Sequence, residues 1–196
     1  MTWGAAVVGY LIGSLPTAEL LGRMSGVDLR AHGSGNPGTF NALRTSGPLL
    51  AALVLSVETA KGLSAVWVGE MMAGDTGALV AGLGAVAGNV YNVWYQFQGG
   101  KGVGISLGVL IGLWPTVILP IVAVIGLGAL ITRSSGIATL VAIVALVVMA
   151  VLWTVNEWPS GGLATDPALL VLAAGMGLLV FWKHWRAVAV NEPSHP

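Results

Sequence analysis

The sequence contains no cysteine among its 196 residues, and only 8% of the residues are charged. The absence of cysteine excludes disulfides, thiol nucleophiles and cysteine-ligated metals. The scarcity of charge excludes an ordinary soluble surface, because about a quarter of the residues in soluble chains are charged. Eight basic and eight acidic residues cancel, so we expect no nucleic-acid partner. Since 56% of the residues are hydrophobic, we predict an integral membrane protein.

Long apolar runs divide the chain into predicted membrane spans. A spanning helix needs about 20 apolar residues, and these runs are continuous, whereas the strands of a lipid-facing barrel would alternate. We therefore predict an all-α, seven-transmembrane-helix bundle with cytoplasmic glycine-rich loops, forming one polytopic domain over 1–196. The stretch 102–132 could be one or two spans, and Trp114-Pro115 favours two because proline breaks helices. The predicted spans are 3–22, 48–72, 76–95, 102–114, 116–132, 136–153 and 167–183.

The distribution of charge predicts an orientation. With alternating spans, seven of the eight basic residues fall on one side, and the opposite side carries only acidic residues. Loops rich in Lys and Arg stay in the cytoplasm, so we expect the N-terminus outside and the C-terminus inside. The basic residues on the inner side are Arg23, Arg30, Arg44, Lys101, Arg133, Lys183 and Arg186, and the acidic residues on the outer side are Glu70, Asp75, Glu157 and Asp166.

Two further charges lie inside the second predicted span. Glu58 and Lys61 are three residues apart and therefore share a helix face. A charge at membrane depth costs about 2.5 to 3.5 kcal/mol, so we expect the two to pair. Two roles are open for this pair. It could be a purely structural ion pair that locks two helices together, or Lys61 could in addition supply positive potential to a functional site. Glu19, in the first span, is expected to hydrogen-bond a neighbour.

The longest predicted cytoplasmic loop, 28–44, contains the segment Gly33-Ser-Gly-Asn-Pro-Gly38. Closely spaced glycines let backbone N–H groups turn toward one concavity, and Ser34 and Asn36 add side-chain donors, which favours an anion site. Arg44 supplies a planar fork of donors that matches a phosphate. The alternative is a flexible connector that carries a positive-inside arginine.

A second predicted cytoplasmic loop, 96–103, contains Gly99-Gly-Lys-Gly102 at the predicted start of a helix. Exposed N–H groups at a helix N-terminus favour an anion, and Lys101 adds a point charge. Two such loops on one membrane face predict a phosphate site. The histidines and carboxylates have no spacing that suggests a metal site or a hydrolytic triad, so we expect no metal and no cofactor.

Taken together, these motifs resemble the PlsY-type acyl-phosphate:glycerol-3-phosphate acyltransferases of bacterial membranes. The resemblance covers most of the chain and rests on 13–23, 28–44, Glu58-Thr-Ala-Lys-Gly62 and Phe97-Gln-Gly-Gly-Lys-Gly-Val103, in that order. It implies an enzyme of the bacterial inner membrane that transfers a fatty acyl group from acyl phosphate to glycerol 3-phosphate in phospholipid biosynthesis. The products would be lysophosphatidate and phosphate. Its partners would be these substrates and membrane lipids, and its oligomeric state is left open.

The resemblance also implies a set of site residues. Ser34, Arg44 and Lys101 would hold glycerol phosphate, and the first glycine loop would shape the acyl-phosphate site. His184 stands where the family carries a C-terminal His, although the Asn expected three residues later is Ala187. The residues implied as catalytic are Ser34, Arg44, Lys101, Asn89 and His184, and those implied as substrate-binding are Gly33, Gly35, Asn36, Gly38, Asn41, Gly99, Gly100 and Gly102.

The second signature of the family, Gly-His-x-(Phe/Tyr)-Pro, is altered to Gly88-Asn-Val-Tyr-Asn92. Asn89 can donate a hydrogen bond, but it cannot carry a proton near neutral pH as a histidine can. This change leaves two alternatives open. One is the same fold with a changed acceptor, and the other is a non-catalytic membrane protein that binds phosphorylated lipids or regulates an active relative.

Overall fold

A computed structural model describes residues 1–189, and it forms eight α-helices and two 3₁₀ turns over that range. The predicted all-α fold is confirmed for this part of the chain. The last part of the predicted domain, 190–196, lies outside the described residues. The helices are α1 (Thr2–Ser14), α2 (Thr17–Met24), α3 (Thr39–Ser46), α4 (Pro48–Val90), α5 (Val103–Leu113), α6 (Ile118–Thr132), α7 (Ser135–Val155) and α8 (Asp166–Ala189), with 3₁₀ turns at Val93–Tyr95 and Pro115–Val117.

Five helical segments within residues 1–189 are long and apolar enough to cross a membrane. One of them contains 48 residues, about twice the length that a span needs. The membrane class is confirmed, whereas the count of seven spans stays a prediction. The five segments are Thr2–Met24, Pro48–Tyr95, Pro115–Thr132, Ser135–Val155 and Pro167–Trp185.

Helix α4 is a helical hairpin. Its backbone leaves helical geometry at Ala73 and at Gly74, where φ is +61°. Gly69 and Gly77 lie so close that a Cβ on either would overlap the carbonyl of the other. An unbroken helix would separate these residues by about 12 Å, so 48–72 and 75–90 must fold back on one another. The chain therefore reverses between the second and third predicted spans, and the bounds of these segments within a membrane stay predictions.

The first predicted span is interrupted. Leu15 precedes Pro16 and has extended backbone geometry, with φ −55° and ψ 126°, so α1 ends at Ser14. Proline disfavours a helical residue before it and removes an N–H, which frees carbonyls at the end of the helix. Side chains take over these carbonyls: Asn92 donates to Ser14 O at 2.7 Å, and Lys61 donates to Leu15 O at 2.8 Å.

Other predicted boundaries need correction. The third span ends as a helix at Val90, not at 95, because the chain then turns through Val93–Tyr95. The predicted span 102–114 is α5, which has only 11 residues and is short for a span on its own. The loop predicted over 28–44 also contains the start of α3.

The described chain forms two compact units, residues 1–109 and residues 110–189. In the first unit, α1 packs against the second half of α4 through small residues. A Cβ on Gly13 would overlap the carbonyl of Ala85, and a Cβ on Gly88 would overlap that of Tyr10. Small residues allow this backbone approach, which is how helices pack in lipid. Both glycine loops belong to this unit.

The second unit contains α6, α7 and α8. Trp114 is fully buried in it, and its ring contacts Trp153 edge-on at a centroid distance of 5.5 Å. Leu163 N donates to the carbonyl of Gly112 at 3.1 Å, which ties the segment before α8 to the end of α5. His184 lies in α8 and is buried.

Candidate active site

The first glycine loop is braced by Asn41, which lies in the first turn of α3 and is only 2% exposed. Its Oδ1 accepts a hydrogen bond from Ser34 N at 2.9 Å. Its Nδ2 donates to Leu29 O at 2.8 Å and to His32 O at 3.1 Å. The side chain therefore fixes the loop from inside, and both hydrogens of its Nδ2 are used in doing so.

The backbone of this loop is left-handed at two glycines. Gly33 and Gly35 have φ of +61° and +68°, a region that favours glycine. Several N–H groups are already used within the loop: Ser34 N binds Asn41, Gly35 N donates to His32 O, and Gly38 N donates to Asn36 O. A ligand would therefore meet a preshaped turn with the exposed Ser34 on it, rather than a full row of open N–H groups.

The second glycine loop is held to the end of α4. Gly99 N donates to Val90 O at 3.1 Å, and Gly100 N donates to Asn89 O at 2.9 Å. Lys101 is half-buried. Gly102 has φ of +78°, and α5 begins at the next residue, which confirms that the loop precedes a helix.

Arg30 connects the two loops. Its Nη2 donates to the carbonyl of Gln98 at 3.0 Å, its Nε pairs with Glu19, and its guanidinium lies 4.0 Å from the centre of the Tyr95 ring. The expected partner for Glu19 is thus found. Sequence reasoning assigned Arg30 only to the positive side of the membrane, and its position just before the glycine loop was the available signal for a larger role.

A small open cleft lies beside both loops. Pro37 belongs to the first loop and Gly100 to the second, so the fold brings the two predicted motifs to one place. The cleft is lined by Leu15, Pro16, Thr17, Ala18, Glu19, Pro37, Glu58, Asn89, Asn92 and Gly100.

Glu58 is the centre of a buried network at this cleft. Its Oε1 accepts from Thr17 Oγ1 at 2.6 Å and from Lys61 Nζ at 3.0 Å. Its Oε2 accepts from Asn89 Nδ2 at 2.7 Å and from Lys61 Nζ at 3.1 Å. The predicted Glu58–Lys61 pair is confirmed. Since an ionised carboxylate has about four acceptor sites, those of Glu58 are filled.

The two asparagines of the altered signature have distinct positions. Asn89 is half-buried, donates to Glu58 and lines the cleft. Asn92 is buried, and it joins the end of α1 to the turn after α4, because its Nδ2 binds Ser14 O and its Oδ1 accepts from Trp94 N at 3.0 Å.

The other predicted site residues are placed as follows. Ser34 is exposed, and Arg44 is exposed in the last turn of α3. Neither of them lines the cleft, and neither does Lys101. His184 belongs to the second unit, where its Nδ1 is 3.1 Å from Val180 O. Their contacts with substrate stay predictions. Within residues 1–189, no cluster of three or more His, Asp or Glu side chains could hold a metal ion.

Comparison with known proteins identifies the family. The family described as "Glycerol-3-phosphate acyltransferase" matches residues 3–190. The chain belongs to this family. Among the family's members, the glycerol-3-phosphate acyltransferase of Brucella anthropi is 43% identical over 183 residues, covering 92% of this chain and 85% of that protein. That of Symbiobacterium thermophilum is 35% identical over 181 residues, covering 92% of this chain and 86% of that protein.

Two solved structures share the fold. The crystal structure of PlsY, an integral membrane glycerol 3-phosphate acyltransferase, in its glycerol 3-phosphate form superposes with a TM-score of 0.80 at 27% identity, covering 100% of this chain and 96% of that one. The lysophosphatidic acid form gives a TM-score of 0.78, also at 27% identity, covering 97% of this chain and 90% of that one. The PlsY-type resemblance of the sequence is therefore confirmed.

Proposed function

We propose that this chain transfers a fatty acyl group from acyl phosphate to the 1-hydroxyl of glycerol 3-phosphate. The hydroxyl oxygen attacks the acyl carbonyl carbon, the bond from that carbon to the phosphate oxygen breaks, and inorganic phosphate leaves carrying the proton. The products are lysophosphatidate and phosphate. Because a mixed anhydride is already activated, the enzyme must chiefly position two anions and stabilise developing charge.

One observation carries the proposal beyond family membership. Gly38, which ends the first glycine motif, and Gly99, which begins the second, are 61 residues apart in the sequence. Pro37 and Gly100 nevertheless line the same cleft. A reaction between two phosphorylated substrates needs two adjacent anion sites, and this arrangement supplies adjacent loops for them.

The charged residues are assigned roles on this basis. Arg44 and Lys101 bind the phosphate of the acceptor together with Ser34, and the turn at 33–38 receives the acyl phosphate. Glu58 does not act as a general base, because its acceptor sites are filled by Thr17, Lys61 and Asn89. It holds the cleft in shape, while the substrates themselves supply the leaving group and the nucleophile.

Purified protein in detergent, given acyl phosphate and glycerol 3-phosphate, tests this function by release of phosphate and formation of lysophosphatidate. Arg44→Ala and Lys101→Ala should each raise the KM for glycerol 3-phosphate roughly ten- to hundredfold, because losing a hydrogen bond to a charged group costs about 1.5 to 3 kcal/mol. Arg44→Lys should also be impaired if the contact is bidentate. Arg23→Ala, which removes an exposed arginine from α2, is the matched control.

The alternatives predict different results in the same assay. Release of phosphate without dependence on glycerol 3-phosphate would indicate a changed acceptor. Binding of both phosphorylated compounds without turnover would indicate a regulatory or lipid-binding protein. An Arg44→Ala enzyme with normal kinetics would remove Arg44 from the site.

We further propose that the N-terminus faces outward and that the glycine loops face the cytoplasm of the bacterial inner membrane. The charge distribution supports this orientation. The chain has no native cysteine, so single cysteines can be labelled without background. A cysteine replacing the exposed Thr76 at the α4 hairpin should react from outside intact cells, and one replacing the exposed Ser46 should be protected. The reverse pattern would invert the topology.

A further inference from the structure

Through one side chain, Arg30 contacts three residues that belong to two separate segments, α2 and the turn over 95–98. Its Nε pairs with Glu19 on α2, its Nη2 donates to the Gln98 carbonyl at 3.0 Å, and its guanidinium faces the Tyr95 ring at 4.0 Å. A planar guanidinium can make these contacts together, since it presents a fork of donors at its edge and a face that stacks on an aromatic ring.

Each of the two glycine loops has hydrogen bonds of its own that do not involve the guanidinium of Arg30. Asn41 fixes the first loop through three hydrogen bonds that do not involve the side chain of Arg30. The second loop is tied to α4 through Gly99 N and Gly100 N. Removing the guanidinium should therefore leave each loop with its own shape and change how one lies against the other.

We propose that Arg30 is a positioning residue that holds the second glycine loop, and Lys101 with it, at the distance from the first loop that glycerol 3-phosphate requires. The inference rests on the proposed function. The link is direct, because Gln98 lies three residues before Lys101 and one residue before the first glycine of the loop. Glu19 is buried at 6% exposure and orients the guanidinium, while Arg30 itself is partly exposed.

The role predicts a specific pattern of kinetic change. Arg30→Gln should raise the Kd and the KM for glycerol 3-phosphate roughly tenfold, because the lost bonds include a charged donor. The KM for acyl phosphate should change less, since Asn41 still holds the first loop. Arg30→Lys keeps a positive charge near Glu19 but loses the planar fork of donors. Compared with Arg30→Gln, it should therefore recover more of the thermal stability than of the affinity for glycerol 3-phosphate.

A double-mutant cycle separates positioning from general structural support. Equilibrium binding of glycerol 3-phosphate is measured for the wild type, Arg30→Gln, Lys101→Ala and the double variant, so that no turnover is required. If Arg30 acts through Lys101, the two losses should not add, and the double variant should bind about as weakly as Lys101→Ala alone. Arg23→Gln, which makes the same charge change on α2, should bind normally.

The outcomes distinguish this proposal from the proposed function. If the wild type binds glycerol 3-phosphate normally but the affinity losses of Arg30→Gln and Lys101→Ala add fully in the double variant, the positioning role of Arg30 is overturned and the proposed function stands. A lower melting temperature of Arg30→Gln with unchanged Kd would also overturn it, because the arginine would then only support the fold. A wild-type protein that binds no glycerol 3-phosphate would instead refute the proposed function, and the positioning role would fall with it.

Discussion

The ammonium of Lys61 lies 3.0 Å from Glu58 Oε1, and each side chain is only 7% exposed. The same ammonium also binds the carbonyl of Leu15 at 2.8 Å, where Pro16 has ended α1. The pair therefore joins α4 to the break between α1 and α2. Because the carboxylate also orients Asn89, the ion pair connects the packing of the first unit to the shape of its cleft.

Lys61→Met should destabilise the protein strongly, because it leaves Glu58 buried without its counter-charge. Breaking a buried pair by removing one partner costs about 3 to 5 kcal/mol. Thermal unfolding in detergent measures the effect. The double variant Glu58→Gln/Lys61→Met removes both charges and should recover much of the loss. If the double variant is as unstable as Lys61→Met, the cost does not arise from the unpaired carboxylate.

Asn41→Asp should loosen the first glycine loop with little change in side-chain size. The carboxylate can still accept from Ser34 N, but it loses the donors to Leu29 O and His32 O and places an acceptor against both carbonyls. Leaving buried groups unsatisfied costs about 1 to 3 kcal/mol. We expect a lower melting temperature and a raised KM for acyl phosphate. Asn156→Asp changes an exposed amide that donates to Leu152 O at 2.8 Å, and it should be nearly silent.

Gly13→Ala should disturb the packing of α1 on α4, because the new Cβ would overlap the backbone carbonyl of Ala85. Overpacking of this kind typically costs about 1 to 3 kcal/mol. The matched control is Gly126→Ala in α6, where a Cβ meets nothing within 4 Å. That change should be neutral or stabilising by up to about 1 kcal/mol, since alanine favours a helix more than glycine does. Equal melting temperatures for the two variants would contradict this prediction, because α1 and α4 could then move apart at Gly13 without loss of stability.

The sequence predicted the features that arise from local chemistry. Apolar runs located α6, α7 and α8, and the spacing of Glu58 and Lys61 located their pair. The hairpin in α4 was predicted because polar residues interrupt its apolar run near Gly74. The break at Pro16 was missed, because the apolar pattern continues across it and the compensating donors, Lys61 and Asn92, are distant in sequence.

The candidate site shows the same division. The glycine loops could be found from composition, because glycine spacing and basic residues are local signals. The sequence did not predict that N–H groups of the first glycine loop are used within the protein, because this depends on the side chain of Asn41 reaching back from α3 to the loop. Arg30 was missed for a similar reason: its partners Glu19, Tyr95 and Gln98 come from segments that only the fold brings together.

Asn89→His restores the residue type that the family's second signature carries, at a position whose contacts are now defined. The amide donates to Glu58 Oε2 at 2.7 Å, and its Oδ1 lies beside Gly100, 3.0 Å from where a Cβ on that glycine would stand. One imidazole nitrogen could keep the bond to Glu58, which would fix the ring and leave the other nitrogen toward the cleft. A group that can carry a proton assists acid-base steps by about 10² to 10⁴ in rate, so even a partly suitable geometry should raise kcat several-fold.

The KM for acyl phosphate should stay nearly unchanged in Asn89→His, because the 33–38 loop is held by Asn41. The control is Asn89→Gln, which lengthens the side chain without adding a titrating group. Measurement of kcat and melting temperature on the same preparations decides the matter: a fall in both for Asn89→His would mean that the amide serves packing, and the histidine would then have no catalytic role at this position.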